Sequence, residues 1–493
     1  MANTPDRERQ LEEDAAQLQR LGYAQQLLRD MGGFSNFAVS FSIISILTGA
    51  VTLYGHGLRF GGPFVMGVGW PLVAVMTLAV AASLAQLASS FPTAGALYHW
   101  AAMLGGPRVG FFTAWLNTVG QFAITAGIDY GLAEFLADML GLPRERGAVL
   151  PLYAAVLVSH AVLNHVGVRV VAWLNDFSAW YHLAGVAVLL GALVALAPLK
   201  EPSFLLTRFS TESPWYFYGF LIGLLQAQWT FTGYDASAHI SEETRDPTRN
   251  APWGIFLSVA VSAVVGYVLL GVVTLAIQDL PAAAAAPNPF LYVLTTALGP
   301  TVGGALVWVA IAAMWFCGLS SVTSNSRMLF AFARDNGLPG SRWLKHVSPR
   351  FRTPSVAVWV SVVAALVVAL WAQAYAAMVA LSTLALYASY ALPIWVGWRA
   401  RRSGTWVHRG PWDLGRASPF VNGVALVWCA AIMVLFVLPP NQLAGYTFAG
   451  ALVLLGLYWG LAQRHTFTGP KVTLLRGPDP LATSEARSSP SSG

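Results

Sequence analysis

The sequence predicts an all-α polytopic membrane protein with twelve spanning helices. Two observations predict it: a composition that cannot cover a soluble surface, and a series of apolar runs of bilayer length. Of 493 residues, 56% are apolar and only 10% charged, whereas ordinary globular domains carry about 25% charged residues. Length alone would suit roughly three soluble domains, but a mean hydropathy of +0.58 makes the bilayer the main solvent.

Crossing ~30 Å of hydrocarbon takes ~20 residues of helix. Runs of that order fall at 36–58, 64–88, 110–139, 149–167, 171–197 and 216–240, then at 254–277, 302–333, 354–372, 376–398, 420–438 and 445–462. These are spans one to twelve, separated by Gly, Pro and charge clusters that mark loops. The apolar stretch Phe290–Leu298, after the Pro- and Ala-rich run Pro281–Pro289, is too short to span and is expected as a loop helix on the outer face. Met1 to Asp30 is polar, with no apolar signal-peptide region, so span one is expected to serve as the insertion signal. The organisation expected is an N-terminal cytoplasmic arm over 1–31, a membrane domain over 32–464 and a disordered cytoplasmic tail over 465–493. That tail is rich in Ser, Pro and Gly and too poor in apolar residues to fold alone.

Net charge is +6, and its distribution reads as topology. With both ends in the cytoplasm of a cell (plasma or inner) membrane, 22 of the 28 Lys and Arg fall inside and five outside, as the positive-inside rule requires. Arg327, near the inner end of span eight, is expected to snorkel. Basic residues scattered over short loops form no groove, so nucleic acid is not expected as a partner. The two cysteines, Cys317 and Cys429, lie in apolar segments without a C-x-x-C or His companion, which indicates neither a disulfide framework nor a metal site.

Backbone at membrane depth departs from helix only where it lines a cavity, so breaks locate sites. Span one carries Ser45-Ile46-Leu47-Thr48-Gly49 about 12 residues in, roughly 18 Å deep. Span six carries Thr230-Phe231-Thr232-Gly233-Tyr234-Asp235. Thr-Gly pairs five spans apart match an inverted repeat of five plus five helices with broken first members, the LeuT-type arrangement, here about 32–200 and 214–400 with helices eleven and twelve over 420–462. Amides at a half-helix N-terminus favour a carboxylate, and free carbonyls opposite favour an amine or cation. A small zwitterion is the ligand implied, with Ser45, Thr48, Gly49, Thr232 and Gly233 as candidate contacts.

Asp235 is a costly carboxylate in a span and is expected to have a function. His182, mid-depth in span five, is either an interhelical hydrogen-bonding residue or a proton-responsive group. Asp129 and Glu134 in span three are expected to line the outer vestibule, since five residues apart they share a face too poorly for a catalytic pair. Asp176 reads as a solvated helix-end residue. Ser320 and Ser321 in span eight are two hydroxyls that either bond back to their own helix or complete an oxygen cage for a monovalent cation. No H-E-x-x-H, G-x-S-x-G, Walker or Rossmann glycine pattern occurs, so no enzyme motif competes.

Four stretches between Gly32 and Arg464 give the chain a family resemblance. They are Leu47-Thr48-Gly49 with Gly61-Gly62-Pro63; Phe91-Pro92-Thr93-Ala94-Gly95-Ala96-Leu97-Tyr98; Ser241 to Pro252; and Ser326 to Asp335. The sequence resembles the amino acid–polyamine–organocation superfamily, in the amino acid/choline branch that includes GABA and choline permeases. The resemblance implies that Thr48-Gly49 stand where a Gly-Ser-Gly type break presents amides to a carboxylate, although Leu47 replaces the first glycine. It places Trp229 as an aromatic gate, Asp235 where a glutamate affects proton dependence, and Asn117 and Gln121 at wall positions of span three. It aligns His182 with a lysine that takes the place of a sodium ion, while Phe316 to Ser321 resembles the hydroxyl-bearing stretch of sodium-coupled carriers.

The function expected is secondary active transport of an amino acid or small amine such as GABA, a neutral amino acid or choline. Proton-coupled import by alternating access is the leading form, with a sodium-coupled carrier or exchanger as the alternative and a membrane enzyme or channel more distant. No cofactor is expected beyond a co-transported proton or sodium ion. The partners expected are the substrate and the bilayer, with the protein a monomer or weak homodimer.

Overall fold

The computed structural model describes residues 4–372 and 375–472. Among these the fold is all-α, and the isolated parallel bridge between Met31 and Thr244 is its β-type pairing. Nine helices of the described chain are long and apolar enough to cross a bilayer. They cover spans one, two, four, five, seven, eight, ten, eleven and twelve. Of the other three runs, span three is the helix Pro107–Met139, which carries Asp129, Glu134 and Asp138. Span six is divided into Tyr216–Gly223, Leu225–Thr230 and Ala236–His239, and span nine, Ser355–Trp371, has 17 residues. The outer surface is apolar, with residues such as Trp173, Val188, Phe420 and Leu461 exposed, as a lipid-facing wall requires.

Span eight belongs to a 46-residue helix, Pro289–Arg334, interrupted at Gly299 with φ 80°. Pro300 follows and has no N–H to continue the ladder, so Pro289–Leu298 stands apart as the loop helix expected. The buried helix Leu97–Gly105 between spans two and three is absent from the sequence reading, because nine residues between prolines look like a loop.

The face that carries both described ends is clamped shut. Glu242 accepts from Arg334 at 2.7 and 3.0 Å and from the Ala94 amide at 3.0 Å. Arg327 does not snorkel: it is fully buried and donates to Glu243 at 3.0 Å, since a guanidinium inside the bundle needs a carboxylate more than a route to water. Three of the four stretches that carry the family resemblance therefore meet at this face. The N-terminal arm folds over them, with Met31 N–H donating to Glu243 O and Arg245 N–H to Met31 O. Tyr23 donates to Asp335 at 2.7 Å, stacks on His99 at 4.8 Å and lies 3.9 Å under the Arg334 guanidinium. Phe467, in the tail, packs against Tyr98 and Phe111, so the packed region runs past Arg464; the tail expected to be disordered lies, from 473 on, outside the described residues.

Burial alone would raise the Glu242 and Asp335 carboxyls. The Arg334 charge on Glu242, and the His99, Tyr23 and Tyr98 hydrogen bonds on Asp335, outweigh it and hold both below the usual carboxylate range. A folded value below the unfolded one stabilises above the ordinary pKa of about 4 and is lost as pH falls through the folded value. Limited trypsin digestion should therefore leave Arg29 protected from about pH 5 to 8. Arg334→Ala strands a buried carboxylate, a loss of about 3–5 kcal/mol, and should expose Arg29 to cleavage throughout that range.

Candidate functional site

Between Thr230 and Ala236 the backbone of span six leaves the helix, with Gly233 at φ 86°, a conformation that only glycine adopts without strain. Side chains replace the missing helical partners. Tyr387 donates to Phe231 O at 3.3 Å, Ser40 to Tyr234 O at 2.9 Å, and the Gly233 and Ser237 amides donate to Tyr390 Oη and Ser40 Oγ. Thr232 bonds back to Trp229 O.

The interruption of span one differs from the expected unwinding. Ser45–Gly49 is a π-helical turn, and the backbone departs at Ser45, with φ 30° and ψ 87°. Gly49 itself is helical, at φ −61° and ψ −47°. Its glycine is needed for contact: a Cβ there would lie 2.6 Å from Thr230 Oγ1 and 2.8 Å from Thr230 Cα. The two Thr-Gly segments thus touch, backbone to backbone.

Around this contact lies a narrow cavity of about 10 Å³ lined by Ile43, Ile44, Thr48 and Gly49 of span one, Ile124 and Ile128 of span three, and Trp229, Thr230 and Thr232 of span six. No charged side chain is among them. On the face away from the termini a larger vestibule, about 920 Å³ with the solvent it opens to, is lined by His56, Arg59, Glu134, Arg144, Glu212 and Tyr375 among others. Trp229, whose indole donates to Ser382 Oγ at 3.0 Å, meets Tyr375 edge to face at 6.2 Å and stands between the two spaces.

Three candidates form one chain of hydrogen bonds. His182 Nδ1 is 2.8 Å from Ser178 O, which can only accept, so Nδ1 carries a proton. Nε2 lies 2.7 Å from Ser45 Oγ, and Ser45 Oγ lies 2.6 Å from Thr48 Oγ1 at the cavity wall. A neutral His182 thus accepts from Ser45.

Asn117, Gln121 and Asp235 form a second group, outside the cavity lining. Asp235 is 1% exposed and accepts from Tyr390 at 2.8 Å, Asn117 at 3.2 Å and Gln121 at 3.3 Å, with His239 Nε2 at 3.3 Å. Its oxygens are occupied by the protein. Ser320 and Ser321 do not converge: the Ser320 hydroxyl lies within hydrogen-bond distance of Asn175 Oδ1 and of Phe316 O, while Ser321 pairs with Thr125 at 2.7 Å. Adjacent residues on a helix face about 100° apart, so the two hydroxyls point to different neighbours.

Glu134 lines the vestibule as expected, but Asp129 does not. It is fully buried and lies 3.2 Å from His160 Nδ1 of span four, because the partner that draws it inward comes from a different helix. Asp176 is half-buried and accepts from Ser35 at 3.0 Å. Sequence reasoning missed Tyr387, Tyr390 and Ser40, which satisfy the span-six break, and His239, which holds Asp235. Only His239, one turn from Asp235, left a local signal.

The contact between the two segments sets a clear expectation. Gly49→Ala forces the Thr230 backbone away, an overpacking cost of about 1–3 kcal/mol. Labelled-substrate uptake should be lost in a protein that still purifies as a monodisperse species. Thr230→Ala should not restore uptake, because the clash with Cα remains.

Comparison with known proteins fits this architecture. Residues 32–459 match the amino acid permease family model. An amino-acid permease BAT1 homolog of Oryza sativa subsp. japonica is 38% identical, over 93% of this chain and 96% of its own length. The amino-acid permease BAT1 of Arabidopsis thaliana is 38% identical over the same shares. A GABA-specific permease of Saccharomyces cerevisiae is 26% identical over 93% of this chain and 85% of its own. Broken, touching helices around a small cavity in a multi-pass bundle are what a carrier needs, and the chain belongs to the amino acid permease family, as a transporter and not an enzyme.

Proposed function

We propose that this permease imports a small neutral amino acid, GABA included, together with a proton. The observation that carries the reading is the His182–Ser45–Thr48 chain, which runs from a titratable group to the wall of an uncharged cavity. With His182 neutral, Thr48 donates to Ser45 and Ser45 to Nε2. When His182 takes a proton, Nε2 becomes a donor and the chain reverses: Ser45 donates to Thr48, whose own O–H is released toward the cavity. A substrate carboxylate then gains a donor that the neutral state withholds. Coupling through one such bond is worth about 1–3 kcal/mol, or 5–150-fold in affinity.

An uncharged cavity suits a zwitterion whose charges pair with backbone groups at the two interruptions. It suits a basic amino acid less, because Asp235 is committed to four partners. Choline has no carboxylate to use the Thr48 donor. Asp235, Asn117 and Gln121 instead tie the broken span six to spans three and ten. Trp229 is the lid toward the vestibule.

In this reading the chain has twelve spans in a five-plus-five repeat, lies in the cell membrane with the clamped face and both termini in the cytoplasm, and works as a monomer or weak homodimer. The closed clamp and the open vestibule correspond to a state that faces outward and is nearly occluded. Rocking of the bundle against its scaffold would open the clamp.

The test is uptake into proteoliposomes of labelled GABA, neutral and basic amino acids and choline, with proton and sodium gradients imposed separately. Wild type should accumulate a neutral substrate under the proton gradient alone. In His182→Ala and Thr48→Val, proton-driven accumulation relative to counterflow should fall about tenfold. Accumulation under sodium alone would contradict the reading.

A further inference from the structure

We propose that Asp129 and His160 form a second proton-binding site, held in the scaffold between spans three, four and eight, whose proton is exchanged during transport. It rests on the proton-coupled reading above only in that exchange. Both residues are fully buried, with Asp129 Oδ2 3.2 Å from His160 Nδ1. The remaining oxygen, Oδ1, and the remaining nitrogen, Nε2, have no hydrogen-bond partner. The space is built for the pair, since a Cβ on Gly318 would collide with Asp129 Oδ1 and with the His160 ring.

With Nδ1–H donating to an ionised Asp129, the neutral imidazole leaves the pair at −1. Asp129 acts electrostatically on Tyr153 of span four and Cys317 of span eight; further along the surrounding elements lie Tyr130 and Glu134 on span three itself, Tyr375 of span ten toward the vestibule, and Asp176, Tyr181 and His182 on span five, which packs on spans four and eight. Span nine and Ser45–Gly49 contribute none, and among the described residues no Lys or Arg pairs with either member. An uncompensated carboxylate in a dry interior is costly. One added proton brings the pair to zero, and its two possible seats are Nε2, giving imidazolium with carboxylate, and Oδ1, giving carboxylic acid with imidazole. These are the two side-chain atoms of the pair left without hydrogen-bond partners.

The site has polar neighbours on both sides. Glu134, at the vestibule, is one to two turns along span three, about 7.5 Å. In the other direction Asn117, Gln121, Thr125 and Asp129 recur every four residues on one helix face. Thr125 bonds Ser321, and Asn117 and Gln121 bond Asp235. The proton is taken from vestibule water in the state seen here and given up when the rocking bundle admits water from the other face. The load on this line alters how spans three and eight pack at Gly318, one residue from Cys317, which donates to Ile43 O beside the substrate cavity.

The test has two arms, both on the full-length protein. Infrared difference titration of purified wild type should show one proton-dependent band, a carboxyl band if the proton sits on Oδ1 or an imidazolium band with a shifted carboxylate stretch if it sits on Nε2, that is absent from Asp129→Asn and lost or shifted in midpoint in His160→Gln. In proteoliposomes, the ratio of proton-driven accumulation to counterflow should fall about tenfold in either variant. If Asp129→Asn fails to fold, the His160→Gln midpoint and ratio decide alone. An unchanged titration together with an unchanged ratio would make the pair a structural contact only and overturn the proposal. A titrating Asp129 with an unchanged ratio would overturn exchange. If wild-type uptake ignores the proton gradient while Asp129 titrates, the His182 reading and exchange both fail and the binding site itself stands.

Discussion

The structure depends on one constraint: at the depth where span six breaks there is no water to receive the freed backbone groups. Each unsatisfied amide or carbonyl in hydrocarbon costs several kcal/mol, so the break at Phe231 to Asp235 exists only because other helices supply partners. Tyr387 and Tyr390 come from span ten, Ser40 from span one, and Asp235 is held by Asn117 and Gln121 from span three. The scaffold and the broken helices are thereby joined at the proposed substrate site. Anything that moves span six must exchange these bonds as a set, which gives a carrier two discrete states instead of a continuum.

A second consequence concerns the closed face. Arg327 with Glu243 and Arg334 with Glu242 bring together segments more than 80 residues apart in sequence. Buried pairs of this kind add little net stability, but separating them is expensive. They suit a gate that must be firmly shut in one state and fully opened in another, and the N-terminal arm adds Tyr23 and Met31 to the same lock.

Much of this was legible in the sequence. Span positions follow from apolar run length, and the structure shifts their ends by a few residues. The Thr232-Gly233 pair, five spans after the first Thr-Gly pair, announced the span-six break, and the structure shows Gly233 there at φ 86°. Gly49 drew attention to the right place for an incomplete reason: the backbone turns at Ser45, and the glycine serves the contact with Thr230. Asp129 and Arg327 were misplaced because depth along one helix says nothing of the partner waiting on another. His160 and Glu243 lie 31 and 84 residues from the residues they bind, a distance no local pattern spans. Asp235 was recognised as important, but its commitment to Tyr390 and His239 rather than to a ligand appears only once the helices are packed.

The central claim is that substrate lies between the two interruptions, against Thr48 and Thr232. Its most direct test is substrate protection of a cysteine placed at Thr232, read as the rate of modification by a small methanethiosulfonate reagent in proteoliposomes. The buried native Cys317 and Cys429 give the background in wild type. The account predicts that a transported neutral amino acid slows modification in a saturable way, with half-effect near the concentration that half-saturates uptake. Modification that is equally fast at saturating substrate would place the substrate elsewhere and contradict it.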